Sequence, residues 1–237
     1  MILRHLHLPG IVPYNHASRL QDILVKNLLA HKANPQTIHA PDPTIITAQF
    51  HPVYTCGRRE VGTVSPLQKK YLEEPTPYGK AEFIESLRGG QTTFHGPGQL
   101  IAYPILDLKR HNLTPRSYVC LLEKAVIATC AHYGVKAMST DNPGVWMDED
   151  HKICALGVHL RRNVTSHGIG FNVDTELGWF ERIVGCGLEG KKATSLREQG
   201  VKGGVDVESV AGVLVRKIFE SLDGVEASIR IAEQSVD

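Results

Sequence analysis

Hydrophobic and polar positions divide this chain into short strand-like runs and a few helical ones. Residues 2–8 read as a strand. Over residues 17–31, Leu20, Ile23, Leu24 and Leu28 recur at helical spacing and leave Arg19, Asp22 and Lys26 for solvent. Residues 44–50 are β-branched and apolar, a strand that stops at His51-Pro52. Residues 83–87 and 100–108 flank a glycine-rich stretch. Thr114 as N-cap, Pro115 in the first turn and Gly134 after the last predict the clearest helix, with Val119, Leu122, Val126, Cys130 and Tyr133 as its buried stripe. Cys120 and Cys130 are packing residues in this reading. Strand-like segments follow at 135–139, 144–147, 152–160 and 165–173, the last two forming a hairpin that turns at Arg161-Arg162-Asn163. Residues 176–183 suit a short helix. Asp206 opens a final helix to about 222, buried through Val207, Val210, Ala211, Leu214 and Ile218 and ended by Gly224. Successive strands with few long helices predict an α+β fold, a single domain over residues 1–237 in which one mixed β-sheet carries packed helices. Residues 62–80, rich in proline and charge, read as a surface insertion with a short helix at 67–71. Residues 224–237 read as a loose C-terminal tail.

Composition narrows the classes. The 237 residues are 42% hydrophobic and 22% charged with net charge +1, so a nucleic-acid surface is not expected. No apolar run reaches the roughly 20 residues of a membrane span. Five cysteines without paired C-x-x-C spacing suit neither a disulfide framework nor a zinc site and point to a reducing compartment. Before Asp22 the chain carries Arg4, Arg19 and histidines but no acid, a bias shared with transit peptides, although Pro9, Gly10 and Pro13 interrupt any amphipathic helix.

Three clusters of glycine with polar residues stand out. The stretch from Arg88 to Gln99 holds Gly89, Gly90, Gly96 and Gly98 among Gln91, Thr92, Thr93, Phe94 and His95. Placed directly before an apolar run, it reads as a binding loop anchored to a buried strand. Ala155-Leu156-Gly157 and His167-Gly168-Ile169-Gly170 fall in neighbouring strand segments, where glycine weakens the strand unless something must come close. An extended apolar ligand lying across the sheet accounts for both. No phosphate-loop or dinucleotide motif opens a helix.

Reactive groups are fewer. Cys186 lies between Gly185 and Gly187 with Lys191 and Lys192 behind it, a setting for a thiolate with free N–H groups at hand, and equally for a thiol in a tight turn. Lys152 opens an apolar strand; its ammonium either reaches water or is held at the sheet end, where desolvation lowers its pKa. Cys56 beside Arg58 and Arg59 suits a low-pKa thiol or a buried small residue, the second being the commoner use. His95, His159 and His167 could supply a base, and their spacing matches no metal site.

Taken together, Arg88-Gly-Gly-x-Thr-x-x-His-Gly-Pro-Gly-Gln99, Lys152-Ile-x-Ala-x-Gly157, Ser166-His-Gly168 and Cys186-Gly-Leu188 followed by Thr194-Ser195-Leu196 resemble the lipoyl (octanoyl) protein transferases. The resemblance runs from about residue 3 to 221. It implies a fold similar to the catalytic domain of biotin and lipoate protein ligases. It also implies acyl transfer from octanoyl-acyl-carrier-protein to a lysine of lipoyl domains, those of 2-oxoacid dehydrogenase complexes and the glycine cleavage H protein, with no ATP or metal. Position by position, Cys186 matches the acyl-thioester nucleophile and Lys152 the lysine that lowers its pKa. Residues Arg88 to His95, Ala155 to Gly157 and Gly168 to Gly170 match the acyl-substrate contacts. The long segment between Gly57 and Arg88 resembles fungal and other eukaryotic members, which implies a mitochondrial rather than a cytoplasmic location. An ATP-dependent lipoate ligase on the same fold, a thiol amidase and a non-enzymatic carrier-binding module are the competing readings.

Overall fold

The computed structural model describes residues 1–183, 190–203 and 205–236. Strand β1 (Ile2–Val12) runs into helix α1 (Tyr14–Ala33), which starts directly after Pro13 and is longer than its apolar repeat. Strand β2 (Thr44–Phe50) follows, then β3 (Val53–Cys56), helix α2 (Pro66–Glu73), β4 (Glu82–Glu85), β5 (Thr93–His95) and β6 (Gln99–Ile105). Helix α3 (Pro115–His132) begins at a reciprocal cap in which Thr114 and Ser117 each accept from the other's backbone N–H. Strands β7 (Val145–Trp146), β8 (His151–Arg161) and β9 (Val164–Asn172) come next, β8 and β9 turning through Arg162 and Asn163 at φ of 53° and 66°. Two consecutive positive φ values match the twist of the flanking strands. A 3-10 turn (Leu177–Arg182), β10 (Lys192–Ala193), helix α4 (Val207–Ser221) and β11 (Ala227–Ile231) complete the order.

The main sheet runs β10-β8-β9-β6-β2-β1-β11 with β7 beside β8, parallel where β1 meets β2 and β11 and where β10 meets β8. The architecture is the expected mixed α+β single domain. Every residue of β6 is buried because both faces of the sheet are covered. Leu100 and Ala102 join α3 and α4 through Leu122, Val126 and Leu214, whereas Ile101 and Tyr103 face α1 through Leu20 and Leu28.

Several expectations need correction. The sheet is not the only one: β4-β3-β5 form a second, three-stranded sheet after the chain turns at His51 and Pro52. Residues 135–139 form no strand; only Met138 bridges to Trp146. Cys120 is exposed, since the buried side of α3 runs through Tyr118, Leu121, Leu122 and Ala125 instead. The C-terminal segment is not a loose tail. β11 pairs in parallel with β1, Ile2 opposite Ala227 through Leu6 opposite Ile231, covering what would otherwise be an open sheet edge. Val236 is buried in the α1-side core.

The insertion at 62–80 carries α2, capped by the Ser65 hydroxyl, and it does more than cover surface. Arg182 donates to the carbonyls of Tyr71 and Glu74, both at 2.8 Å, and packs 4.9 Å from the Tyr71 ring. The Tyr78 ring lies against Gly178 so closely that a Cβ there would overlap it. The insertion thereby holds the 3-10 turn in place.

Candidate active site

The glycine-rich loop lies backbone-down on its neighbours. Gly89 N–H donates to the Val158 carbonyl of β8 at 3.0 Å, and a Cβ on Gly157 would stand 2.7 Å from the Gly89 carbonyl oxygen. Gly57 meets the Gly90 carbonyl so closely that no side chain fits there. Arg88, which as a loop arginine suited an anionic ligand, turns inward. Its guanidinium donates to the Thr55 carbonyl at 2.5 Å, the Thr55 hydroxyl at 2.8 Å and the Gly89 carbonyl at 3.0 Å, tying the loop to the small sheet. The glycines of β8 and the loop therefore serve first to let main chain pack on main chain.

Most of the predicted contact residues meet around one narrow gap of about 30 Å³. Arg88, Gly90, Gln91, Thr93 and His95 supply one wall. Ala155, Leu156 and Gly157 of β8 and Gly168, Ile169 and Gly170 of β9 supply the other, in register as Ala155 opposite Gly170 and Gly157 opposite Gly168. Gly89, Thr92 and Phe94 do not line it. Thr92 donates to Glu60 at 2.8 Å, and Phe94 stacks on Trp179 at 4.9 Å between ring centres.

Lys152 reaches the site through a register irregularity. Val145 pairs with Cys154, but Trp146 pairs with Lys152, so β8 carries an extra residue against β7. Regular alternation from Ala155, which faces the cleft, would put Ile153 there too and send Lys152 to the helix side. Instead Ile153 is fully buried in the helix-side core, and Lys152 lines the cleft with Ala155. A bulge that re-aims one side chain is a recurrent device beside active sites. The Lys152 ammonium donates to the Pro143 carbonyl at 3.1 Å and sits 4.5 Å from the centre of the Trp146 ring.

The cleft itself holds about 390 Å³ and opens beside the gap, sharing Thr93, Ala155 and Gly170 with it. Trp146, Asn172, Leu177 and Phe180 form much of its remaining wall. Cys186 lies outside the described residues. The chain enters and leaves that stretch at the cleft, because Ile183 and Lys191 both line it.

Two histidines at the gap are held neutral. Burial, aided by the nearby Arg88 charge, pushes His95 down to about 3 and His167 down to about 3 from the ordinary 6.5. His95 Nδ1 is 2.7 Å from the Gln99 amide oxygen, and Gln99 donates to Asn172 at 2.9 Å. His167 holds a left-handed φ of 56° inside β9, its N–H donating to Gln21 at 2.5 Å. Such strain persists only where surroundings over-determine it. Neither ring is poised to act as a base near neutrality. Cys56 is buried and its thiol pushed up by desolvation, the bland of its two readings. Among the described residues no group of three His, Cys, Asp or Glu is placed to hold a metal, and no helix is long and apolar enough to cross a membrane.

The histidines carry an acid signature. Because their folded pKa values are depressed, the stability they contribute is complete above pH 6.5 and lost as pH falls toward 3. Each costs about 1.4 kcal/mol per pH unit in that window. Denaturant titrations should therefore lose roughly 2–3 kcal/mol between pH about 6 and about 5. Equal stability at both would show that the rings are not buried neutral.

A family model described as "Lipoyl protein ligase A/B catalytic domain" matches residues 13–219, most of the chain. The chain belongs to this family. It is 50% identical over 209 residues to a "Probable octanoyltransferase" of Schizosaccharomyces pombe, covering 88% of this chain and 90% of the relative. It is 40% identical to the Homo sapiens protein named octanoyl-[acyl-carrier-protein]:protein N-octanoyltransferase, mitochondrial, covering 80% and 81%. The fold is that of a bi-partite lipoate protein ligase from Thermoplasma acidophilum, with TM-score 0.65 over 99% of this chain and 89% of that one at 14% identity. Within this lipoyl protein ligase A/B domain, sequence reasoning missed Trp146, Asn172 and Glu123. Trp146 and Asn172 sit in strands that read as ordinary core. Glu123 had one available signal, a charge on the helix α3 side that also carries Leu122 and Val126.

Proposed function

We propose that this acyltransferase moves octanoyl groups from octanoyl-acyl-carrier-protein to a specific lysine of lipoyl domains, through a thioester on Cys186. The observation that carries the reading is Lys152, re-aimed by the β8 bulge into a cleft that both flanks of the Cys186 stretch also line. In the first half-reaction the Cys186 thiolate bonds to the donor's carbonyl carbon. The carrier's C–S bond breaks, and its sulfur takes a proton from the Lys152 ammonium. In the second, the target lysine's neutral amine bonds to the same carbon, the Cys186 C–S bond breaks, and Lys152 takes the amine's surplus proton. The cycle returns thiolate and ammonium. Exchange between thioesters is close to isoenergetic, so no ATP or metal enters it.

The acyl chain lies across the floor made by Ala155 and Gly170, each buried CH₂ contributing about 0.8 kcal/mol. The gap beyond them has room for about one water, so a chain reaching past Gly170 has to lift the loop at Gly90 and Gln91. The protein acts in the mitochondrion, as its octanoyltransferase relatives do, on lipoyl domains of 2-oxoacid dehydrogenase complexes and the glycine cleavage H protein.

Incubation with octanoyl-acyl-carrier-protein should give an octanoyl adduct in the intact-mass spectrum, absent from Cys186→Ala. Adding a lipoyl domain without ATP should discharge it onto one lysine. An adduct retained in Cys186→Ala, free octanoate in place of transfer, or a requirement for ATP would each overturn the reading.

A further inference from the structure

Glu123 is an acid on the core side of α3, 8% exposed. Buried carboxylates are rare unless something holds them. Its Oε1 accepts from the Gly144 N–H at 3.0 Å. The carbonyl of that same peptide unit belongs to Pro143, and it accepts from the Lys152 ammonium at 3.1 Å. A single peptide group is thus gripped from both ends, by a carboxylate at its N–H and a cation at its C=O. Hydrogen bonds in such a chain polarise one another, each strengthening the next.

The surroundings leave this peptide little freedom. Gly144 adopts φ of 124°, and a Cβ there would stand 2.6 Å from the Cys154 carbonyl oxygen and 3.3 Å from Lys152 Cε. The Trp146 indole N–H donates to the Asn142 carbonyl at 3.1 Å, fixing the loop one residue earlier. The same Trp146 ring lies under the ammonium. Loop, ring and carboxylate all converge on Lys152.

We infer that Glu123 is a positioning residue for Lys152, its carboxylate acting through the Pro143–Gly144 peptide to aim the carbonyl that holds the ammonium and to stabilise that ammonium's charge. This rests on the reading of Lys152 as the proton-transferring group. The other ionisable groups around Lys152 are Cys154 on its own strand, Lys191 and Lys192 at the β10 side of the cleft, and Glu181 on the 3-10 turn. Glu123 supplies negative charge from beneath the strand, opposite the cleft.

The test is the pH dependence of acyl-enzyme formation by the full chain with octanoyl-acyl-carrier-protein, followed by intact mass. Glu123→Gln keeps an oxygen for the Gly144 N–H and removes only the charge, so the ammonium releases its proton more readily. The alkaline limb of the acylation rate should move to lower pH by roughly one unit. Glu123→Asp, which retains the charge, should leave that limb near its wild-type position whether or not the Gln variant folds. Superimposable wild-type and Gln profiles, or an Asp variant shifted as far as Gln, would overturn the inference. Lys152→Ala separates the two levels. If it acylates at the wild-type rate, the reading of Lys152 fails and takes the inference with it. If it is slow while the Gln profile stays unmoved, the role of Glu123 alone fails.

Discussion

Lys152→Ala is expected to slow octanoyl transfer by roughly 10²- to 10⁴-fold, the usual contribution of a positioned acid or base. Stability should barely change, because the side chain is partly exposed and the truncation leaves no core cavity. The packing lost is the contact with the Trp146 ring, about 0.5–1 kcal/mol. Lys152→Arg sharpens the test. A guanidinium keeps the positive charge that stabilises a thiolate but does not give up its proton near neutrality. Acylation by the donor should survive in part, and discharge onto the lipoyl-domain lysine should fail. Single-turnover measurements of each half-reaction distinguish the two steps. Equal impairment of both in the arginine variant would argue that Lys152 contributes only charge.

Gly168→Ala should cost about 1–3 kcal/mol, the range for forcing extra volume into a packed interior. In a chain of this size that lowers the melting temperature by roughly 5 °C. The new methyl would overlap the Ala102 carbonyl oxygen and stand 2.9 Å from Pro104 Cδ, on a β6 backbone held by ladder bonds to β2 and β9. Neither strand has anywhere to go. Gly170→Ala, one alternation along, should behave differently. Its methyl would lie 3.0 Å from the Gln99 amide oxygen and 3.2 Å from His95 Nδ1, both side-chain atoms. The fold should survive with a small loss, while KM for the octanoyl donor rises because the shifted Gln99–His95 pair narrows the slot. Thermal melts and steady-state kinetics on the pair check this. A stable Gly168→Ala with raised KM would mean that Gly168 faces substrate rather than β6.

Both predictions turn on contacts distant in the chain, and that marks the boundary of what the residues alone reveal. The caps at Thr114 and Asp206, the positive-φ turn at Arg162 and Asn163, and the bounds of β2 were legible because their causes are local. They are a hydroxyl or carboxylate near its own helix's N–H groups, a backbone twist, and a β-branched run. The motif order and the glycine spacing also identified the gap's walls correctly, apart from Gly89, Thr92 and Phe94.

Tertiary structure alone decided where those residues point. Arg88 turns inward because Thr55 lies in a strand of the small sheet. Residues 227–231 become a strand because the free edge of β1 stands at the opposite end of the chain. The sequence by itself determined which residues could do chemistry, since side-chain type and local spacing are written in it. Their direction depended on pairing register. One extra residue in β8 against β7 reverses the alternation that periodicity would assign, and so brings Lys152 to the cleft and leaves Ile153 in the core.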